Sequence, residues 1–294
     1  MAAAAQNESP LPRTTGLRRS GNEKFYTRDV IAKECVTDLA RIVQIDPDTD
    51  LLLEPSAGSG SFIPYLEPLA NCLIALDIEP DSRDILRQDF LTWDGTQIVL
   101  PQGGKMITVG NPPFGRQSSV ALKFIKHAAK FSKYIAFILP KSFMKQSMQE
   151  KVPLGLHLVH QRELDMNAFT INDQPHFVPC VFQIWERREH APRIRTPPPQ
   201  PNLFAFANQQ SPHHFAVRRV GVNAGTITPY PASQQCNTQT HYFIHLLHAT
   251  NISRTISNLQ NCQFLESANT VGIKSISKRE IVGEYDNLLS STGI

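Results

Sequence analysis

The feature that most constrains the fold is an alternation of short apolar runs with longer amphipathic segments. Five apolar runs bounded by charged residues, glycine or proline follow one another between residues 50 and 186, namely DLLLEP, CLIALDIEP, KMITVG, KYIAFILP and VPCVFQIWE. Two segments beside them have helical spacing, SSVALKFIKHAAKF and RDVIAKECVTDLARIV, and the latter can align Val30, Ile31, Val36, Leu39, Ile42 and Val43 on one face. This alternation predicts a Rossmann-like α/β fold with a doubly wound parallel sheet.

The rest of the chain divides by composition. We expect a disordered tail over residues 1–22, the α/β domain over 23–189 and a proline-rich linker over 190–202. Residues 203–294 predict a smaller α+β module, with strands in HHFAVRRVGVNAG and ANTVGIKSISKREIV and a helix in QTHYFIHLLHAT. On that helix His241, His245 and His248 would share one face, which we interpret as a partly exposed surface rather than a metal site.

The bulk composition is that of a globular protein, with 41% hydrophobic and 19% charged residues. The net charge of +3 does not by itself indicate a nucleic-acid partner. Five dispersed cysteines without a CxxC pair favour unpaired thiols in a reducing intracellular compartment, and neither a structural metal nor a membrane span is expected. Cytoplasm and nucleus are not distinguished.

Three groups of polar or glycine residues follow predicted strands, where the ligands of parallel sheets bind. EPSAGSGSF places Gly58 and Gly60 in a tight turn, Asp77 ends the next apolar run, and RQDFLTW contains Asp89. The turn lacks the Gly-Lys-Ser/Thr of a phosphate loop, while an acid after the second strand can accept hydrogen bonds from ribose hydroxyls. Each group alone is also compatible with an ordinary turn or cap, but their order, followed by NPPF at residues 111–114, indicates an S-adenosylmethionine site.

From Lys24 to Trp185 the chain resembles the S-adenosylmethionine-dependent adenine-N6 DNA methyltransferases. KFYTRDVIAKEC resembles the segment that closes over the methionine moiety, EPSAGSGSF resembles motif I, Asp77 the motif II acid, QDF motif III and NPPF the catalytic motif IV. The motif order resembles the gamma arrangement of that family, and VGIKSISKREIV resembles a stretch of its recognition modules. The cofactor contacts that the resemblance implies are Tyr26, Thr27, Glu54, Ser56, Gly58, Gly60, Asp77, Ile78, Asp89, Phe90 and Asn111.

The resemblance also implies catalytic roles for Asn111, Pro112, Pro113 and Phe114. The Asn111 side-chain oxygen and the Pro112 carbonyl would accept hydrogen bonds from the adenine amino group, while Phe114 would stack on the base. The target base would have to be flipped out of a duplex. A second aromatic ring, Phe169 or Phe177, would complete the base site, and we favour Phe169 because its surroundings are polar and turn-like.

DNA is the expected partner of a monomer, although a partner subunit is an open alternative. Basic residues that could follow a phosphate backbone are Lys141, Arg218, Arg219, Lys274, Lys278 and Arg279. Enzymes that methylate adenine in RNA, or glutamine in proteins, carry similar Asn-Pro-Pro motifs, so an RNA or protein substrate remains open. A catalytically inactive nucleic-acid-binding protein with the same fold is the other alternative.

Overall fold

The computed structural model describes residues 26–165, 167–171, 174–195, 197, 199–248, 251–270 and 273–291. The predicted tail, residues 1–22, lies outside them. The strands are β1 (Tyr26–Thr27), β2 (Leu51–Glu54), β3 (Cys72–Asp77), β4 (Leu86–Arg87), β5 (Met106–Gly110), β6 (Tyr134–Pro140), β7 (Leu156–Glu163), β8 (Phe169–Ile171), β9 (Gln174–His176), β10 (Cys180–Arg187), β11 (Phe204–Ala207), β12 (Phe215–Arg218), β13 (Ile227–Pro229) and β14 (His241–Leu246). The helices are α1 (Asp29–Ile42), α2 (Ile63–Leu66), α3 (Ser119–Ala128), α4 (Gln146–Gln149), α5 (Ile252–Leu259) and α6 (Lys278–Ser291).

A seven-stranded sheet in the order β4-β3-β2-β5-β6-β10-β7 forms the larger part of the molecule. The pairs from β4 to β6 are parallel, which confirms the Rossmann-like α/β class. The expectation of a wholly parallel sheet was wrong, because β10 runs antiparallel to both β6 and β7. The short hairpin of β8 and β9 precedes β10 in place of a crossover helix, so the chain re-enters the sheet in the opposite direction.

The two faces of this sheet carry separate apolar cores, because alternate residues of a strand point to opposite sides. Leu52, Ile107 and Ile138 face the core beneath α1. Leu53 and Phe137 face the other core, which α3 covers. The sheet is therefore buried on both faces, as the continuous apolar runs of the sequence predicted.

Helix α1 forms where the sequence predicted it, but its apolar face is narrower. Ile31, Val36 and Leu39 are buried, whereas Val30 and Ile42 are exposed at the two ends of the helix. Four of the six apolar residues predicted to share one face are therefore buried, since Val43, just after the helix, is buried as well.

A three-stranded sheet of β1, β8 and β9 forms beside the large one. In it Thr27 of β1 lies opposite Phe169 of β8. This pairing joins the start of the described chain to a segment that precedes β10, and it places Tyr26 and Thr27 beside the large sheet.

The C-terminal module is built on a four-stranded antiparallel sheet in the order β11-β14-β12-β13. The helix predicted in QTHYFIHLLHAT was wrong, because this segment forms the inner strand β14, so His241, His245 and His248 do not share a helical face. Tyr242, Phe243 and Ile244 suit a pleated surface packed on both sides. ANTVGIKSISKREIV was expected to be a strand, but it contributes a single bridge between Val220 and Ser275 and then begins α6.

The module is joined to the large sheet by buried polar contacts. Lys145 Nζ, in a side chain that is only 8% exposed, donates to the Ser275 carbonyl at 2.7 Å and lies 3.6 Å from Glu280 Oε2. Arg279 Nη1 pairs with Glu150 Oε1 at 2.6 Å. The described part of the proline-rich segment has no regular structure, and its Arg193 binds three backbone carbonyls beside α4. The domain boundaries given above stay predictions.

No helix among the described residues is both long enough and apolar enough to span a bilayer.

Candidate active site

A cavity of about 550 Å³ opens at the carboxyl ends of β2, β3 and β5. Its volume lies in the range of small-molecule sites, and its position is the one that parallel sheets reserve for ligands. It brings together every predicted catalytic and cofactor residue except Gly60. The predicted residues that line it are Tyr26, Thr27, Glu54, Ser56, Gly58, Asp77, Ile78, Asp89, Phe90, Asn111, Pro112, Pro113 and Phe114.

The glycine turn after β2 is held against the end of β3. Asp77 Oδ2 accepts a hydrogen bond from Gly58 N at 2.8 Å, and Asp77 Oδ1 accepts one from Glu79 N at 2.8 Å. Gly58 has a φ of +55°, which favours glycine. Because a carboxylate oxygen has two acceptor sites, Asp77 can shape this turn and still accept hydrogen bonds from a ligand. Gly60 acts only within the turn, where its N–H donates to the Ala57 carbonyl.

Glu54 is a buried acid that faces this cavity. Its Oε2 has no hydrogen-bond partner among the described residues. Burial, and secondly the negative charge of Asp77, raise the pKa of the Glu54 carboxyl well above its usual range. A Cβ on neighbouring Gly110 would approach Glu54 Cγ to 3.3 Å, so the glycine leaves room for this side chain. Glu54 is therefore suited to a cationic ligand that supplies the missing donor.

Asn111 presents a bare acceptor to the same cavity. Its Nδ2 donates to Thr27 Oγ1 at 3.1 Å, and Oδ1 is the other end of the amide. Oδ1 is buried and has no partner among the described residues. The Asn111 backbone carbonyl accepts a hydrogen bond from Ser56 Oγ at 3.0 Å. The backbone and the side chain of Asn111 are thus each held by one hydrogen bond, and the side-chain oxygen keeps one unmet hydrogen bond for a ligand.

Phe114 is held by the turn that follows the two prolines. Its carbonyl accepts hydrogen bonds from Val120 N at 3.1 Å and Ala121 N at 3.3 Å, at the start of α3. Gly115 has a φ of +66°, and a Cβ there would lie 2.3 Å from Val120 Cγ2. Only glycine fits this position without a shift of α3, so the sequence after NPPF fixes where the Phe114 ring points.

Phe169 and Phe177, the two candidates for the second aromatic ring, differ in their surroundings. Phe169 lies in strand β8 and is fully buried, so describing its surroundings as turn-like was wrong. Its ring contacts Phe114 edge to face, with 6.3 Å between the centroids. Phe177 lies in a loop and is 40% exposed. Phe169 therefore packs against Phe114, and neither Phe169 nor Phe177 is among the described residues that line the cavity.

The predicted adenine end of the cofactor site is apolar on one side. Phe90, which was expected to flank the adenine ring, lines the cavity and packs in an aromatic cluster with Phe124 and His127. Ile78 lines the cavity as well and is 65% exposed, so it adds apolar surface there. Asp89 Oδ1 accepts a hydrogen bond from Leu91 N at 2.9 Å.

Tyr26 has a contact that sequence reasoning missed. Its hydroxyl donates to Asp81 Oδ2 at 2.8 Å, across 55 residues of sequence. Burial and this hydrogen bond raise the pKa of Tyr26 to about 12. The Tyr26 ring lies against Gly58, where a Cβ would approach it to 3.8 Å. Tyr26 and Gly58 both line the cavity. No local pattern in the sequence predicts the hydrogen bond between Tyr26 and Asp81.

Some predicted phosphate contacts are engaged within the molecule. Lys141 pairs with Glu163 at 2.7 Å, and Arg279 pairs with Glu150. Both side chains already have acidic partners, so we no longer assign them to nucleic acid. Among the described residues, Arg219 and Lys278 have no acidic partner within ion-pair distance. Histidine, cysteine, aspartate and glutamate side chains of the described part form no group of three that could hold a metal.

Residues 75–193 match the model of a family described as the EDM2 methyltransferase-like domain. The match covers less than half of the chain, and it includes Asp77, Asp89 and residues 111–114 but not the glycine turn. The larger domain is thus similar to a methyltransferase-like domain over these residues. No curated protein matches the chain.

Solved structures similar to this chain include protein PH1948 from Pyrococcus horikoshii, with 15% identity over 59% of this chain and 93% of that protein, at a TM-score of 0.43. The N-methyltransferase NodS from Bradyrhizobium japonicum WM9, in complex with S-adenosyl-L-homocysteine, has 14% identity over 54% of this chain and 88% of NodS, at a TM-score of 0.39. TrmN from Thermus thermophilus has 16% identity over 55% of this chain and 52% of TrmN, at a TM-score of 0.38.

Proposed function

We propose that this protein is an S-adenosylmethionine-dependent methyltransferase that acts on the N6 amine of adenine in DNA. The observation that carries the proposal is the Asn111 side chain. Its nitrogen is bound to Thr27, and its bare oxygen faces the cavity beside two prolines and the Phe114 ring. An amide acceptor without a partner is suited to a substrate that brings an N–H donor.

The cavity fits the cofactor. When bound, S-adenosylmethionine supplies an electrophilic methyl group on a sulfonium sulfur. Glu54 would accept a hydrogen bond from the ammonium of its methionine moiety, which provides the donor that Glu54 Oε2 lacks. Asp77 would bind the ribose hydroxyls, while Asp89 and the exposed side chain of Ile78 would hold the adenine.

The residues after β5 would prepare the target amine. The lone pair of an adenine amino group is delocalised into the ring, which makes that nitrogen a poor nucleophile. Hydrogen bonds donated by the amine to Asn111 Oδ1 and to the Pro112 carbonyl would favour a tetrahedral nitrogen with its lone pair free. The prolines pre-orient this carbonyl, so little reorganisation remains at the moment of reaction. The methylated amine would then lose its proton to water.

The base site requires an unpaired adenine. Phe114 lines the cavity and is 9% exposed, and stacking on an aromatic ring contributes about 1–3 kcal/mol per base. The second ring would come from Phe177, which is exposed in the loop before β10. A base inside a duplex cannot reach this position, so a duplex substrate must be flipped.

Two observations support DNA as the polymer. The C-terminal module contacts the segment after β6, the neighbour of the strand that leads into Asn111. The module also carries the cations of Arg219 and Lys278. To recognise a duplex, the protein must contact nucleotides other than the flipped base, and a separate module beside the base site can make these contacts.

A transfer assay with three substrates tests the proposal. Equal amounts of duplex DNA, structured RNA and a release-factor-like protein are incubated with methyl-tritiated S-adenosylmethionine, with the Asn111→Ala protein as the control. We expect label in DNA with the unmodified protein and none above background with the variant. Label only in RNA or only in protein would overturn the substrate. Cofactor binding without transfer to any of the three would favour the catalytically inactive alternative.

A further inference from the structure

The C-terminal module contains a second cavity, of about 440 Å³, between β11, β14 and the start of α6. It is separate from the candidate active site and shares no residue with it. None of the described residues that line it is acidic. Its walls combine cations, aromatic rings and amides, a composition that the proposed methyl transfer does not use.

Two cations converge on one aromatic ring in this cavity. The Arg219 guanidinium carbon lies 5.1 Å from the centroid of Tyr242, and Lys278 Nζ lies 5.8 Å from the same centroid. Lys278 Nζ is also 4.5 Å from the centroid of Phe206. Neither cation has an acidic partner within ion-pair distance among the described residues. An anion that reaches both side chains would gain two charge-assisted hydrogen bonds.

The opposite wall of the cavity is polar but uncharged. Asn208 and Gln210 are exposed there, on either side of Gln209. Gln209 Nε2 donates to the carbonyls of Gln234 at 2.7 Å and Cys236 at 2.9 Å, which fixes the loop that carries all three amides. Amide side chains can pair with the edge of a nucleobase, since they both donate and accept.

The cavity also adjoins the contact between the module and the large sheet. The Arg219 carbonyl accepts a hydrogen bond from Ile276 N at 2.8 Å, two residues before Lys278. Lys278 in turn precedes Arg279 and Glu280, which bind Glu150 and Lys145. Lys278 thus lies on the segment that joins the module to the large sheet, and Arg219 is hydrogen-bonded to that segment through Ile276.

We infer that this cavity binds one nucleotide of the DNA substrate outside the flipped base. The phosphate lies between Arg219 and Lys278, and the edge of the base faces Asn208 and Gln210. The inference rests on the proposed function, because it takes DNA as the substrate. It adds a subsite that holds the strand while the target base occupies the active site, and it assigns a specificity role to the amide loop.

Binding of a fluorescein-labelled, mixed-sequence DNA duplex, followed by anisotropy over a range of salt concentrations, tests the subsite without requiring methyl transfer. The variants are Arg219→Gln and Lys278→Gln. The control is Arg254→Gln, which removes an exposed cation from α5 of the same module. S-adenosyl-L-homocysteine affinity and thermal unfolding of each protein show that the larger domain and the fold are unchanged.

We expect each subsite variant to weaken DNA binding about tenfold, as for a lost hydrogen bond to a charged group. Each should also lower the slope of log K against log salt by about 1, while Arg254→Gln stays within about twofold of the unmodified protein. Variants that bind DNA like the control would overturn the subsite and leave the proposed function intact. An unmodified protein that binds the cofactor product but not DNA would overturn both. Binding to RNA alone would show that the class of polymer is wrong.

Discussion

Asn111 and Glu54 share one feature at the residue scale, which is a buried oxygen without a partner among the described residues. An unsatisfied buried acceptor costs about 1–3 kcal/mol, so two of them in one cavity indicate that ligands complete their hydrogen bonds. One oxygen belongs to a neutral amide and the other to an acid next to a second acid. They therefore call for different donors, an amine at Asn111 and a cation at Glu54.

Replacing Asn111 by alanine should lower the transfer rate by on the order of 10²–10³, as for the loss of one pre-organised transition-state contact. Cofactor affinity should stay within a few-fold, because the oxygen is assigned to the target amine. Asn111→Asp keeps an acceptor and should retain more activity than Asn111→Ala. Single-turnover rates and calorimetric cofactor affinity provide the two readouts. A variant that loses cofactor binding to the same extent as transfer would show that the assigned role is wrong.

Glu54 should make cofactor binding depend on pH. Because its pKa is raised in the ligand-free protein, Glu54 holds a proton above its usual range, and a bound ammonium would release that proton. Affinity for S-adenosyl-L-homocysteine should therefore increase as the pH rises from the usual carboxyl range toward the raised pKa of Glu54, with net proton release. Glu54→Gln should weaken binding by about ten- to a hundredfold, the range for a hydrogen bond to a charged group, and lose the proton release.

Calorimetry in buffers of different ionisation enthalpy measures that proton. The raised pKa of Glu54 also affects folding stability. The ligand-free protein should become less stable as the pH rises through this pKa, because Glu54 ionises more readily in the unfolded chain than in the folded protein. Glu54→Gln removes this loss and serves as the stability control. Equal proton release by Glu54→Gln and the unmodified protein would assign the proton to another group.

At the element scale, the two-residue strand β1 positions the side chain of Asn111. It carries Thr27, whose hydroxyl oxygen accepts a hydrogen bond from the Asn111 side-chain amide, 84 residues away in the sequence. Pairing with β8 fixes β1, and β8 also supplies the ring behind Phe114. The small sheet thus positions both the acceptor and the stacking ring of the base site.

Thr27→Val should lower kcat about tenfold, because the Asn111 amide loses the partner that orients it. Thr27→Ser keeps the hydroxyl and should restore most of the rate. Steady-state measurement of kcat and of KM for the cofactor separates the two roles open to Thr27. A rise in KM with kcat unchanged would mean that Thr27 binds the cofactor and does not position Asn111.

The elements that the sequence predicted correctly are those with a strong local pattern. β2, β3, β5 and β6 are apolar runs ended by an acid, glycine or proline, and such runs suit buried parallel strands. β7, with the sequence LHLVHQRE, was missed because an edge strand of this sheet alternates polar and apolar residues. β14 was predicted as a helix because its histidines recur at helical spacing, whereas its two neighbouring strands decide its conformation.

In the candidate active site, too, residues with a local sequence signal could be predicted, whereas long-range contacts could not. Asp77, Asp89 and residues 111–114 could be predicted because each follows a strand directly. The hydrogen bonds of Thr27 to Asn111 and of Tyr26 to Asp81 could not be predicted, since they depend on how distant segments meet. The pairing of Lys141 with Glu163 was hidden for the same reason.

At the scale of the whole molecule, the buried Lys145 contact holds the module against the large sheet. Lys145→Met should lower the free energy of unfolding by about 3 kcal/mol, because it leaves Glu280 and the Ser275 carbonyl without their partner. Arg41→Met is the matched control, since Arg41 is exposed and its partner Asp38 keeps an ion pair with Arg162, so the change should matter by less than about 1 kcal/mol. Urea unfolding followed by fluorescence and circular dichroism measures both. Equal effects of the two substitutions would show that the Lys145 contact does not hold the module in place.

Identification of the methylated nucleoside tests the central claim most directly. Duplex DNA is incubated with the protein and methyl-labelled S-adenosylmethionine, digested to nucleosides and resolved by liquid chromatography with mass detection. We expect label in N6-methyldeoxyadenosine, and none there when Asn111→Ala replaces the unmodified protein. Label in a methylated cytosine, or in adenine with both proteins, would contradict the assignment of the Asn111 oxygen to the adenine amine.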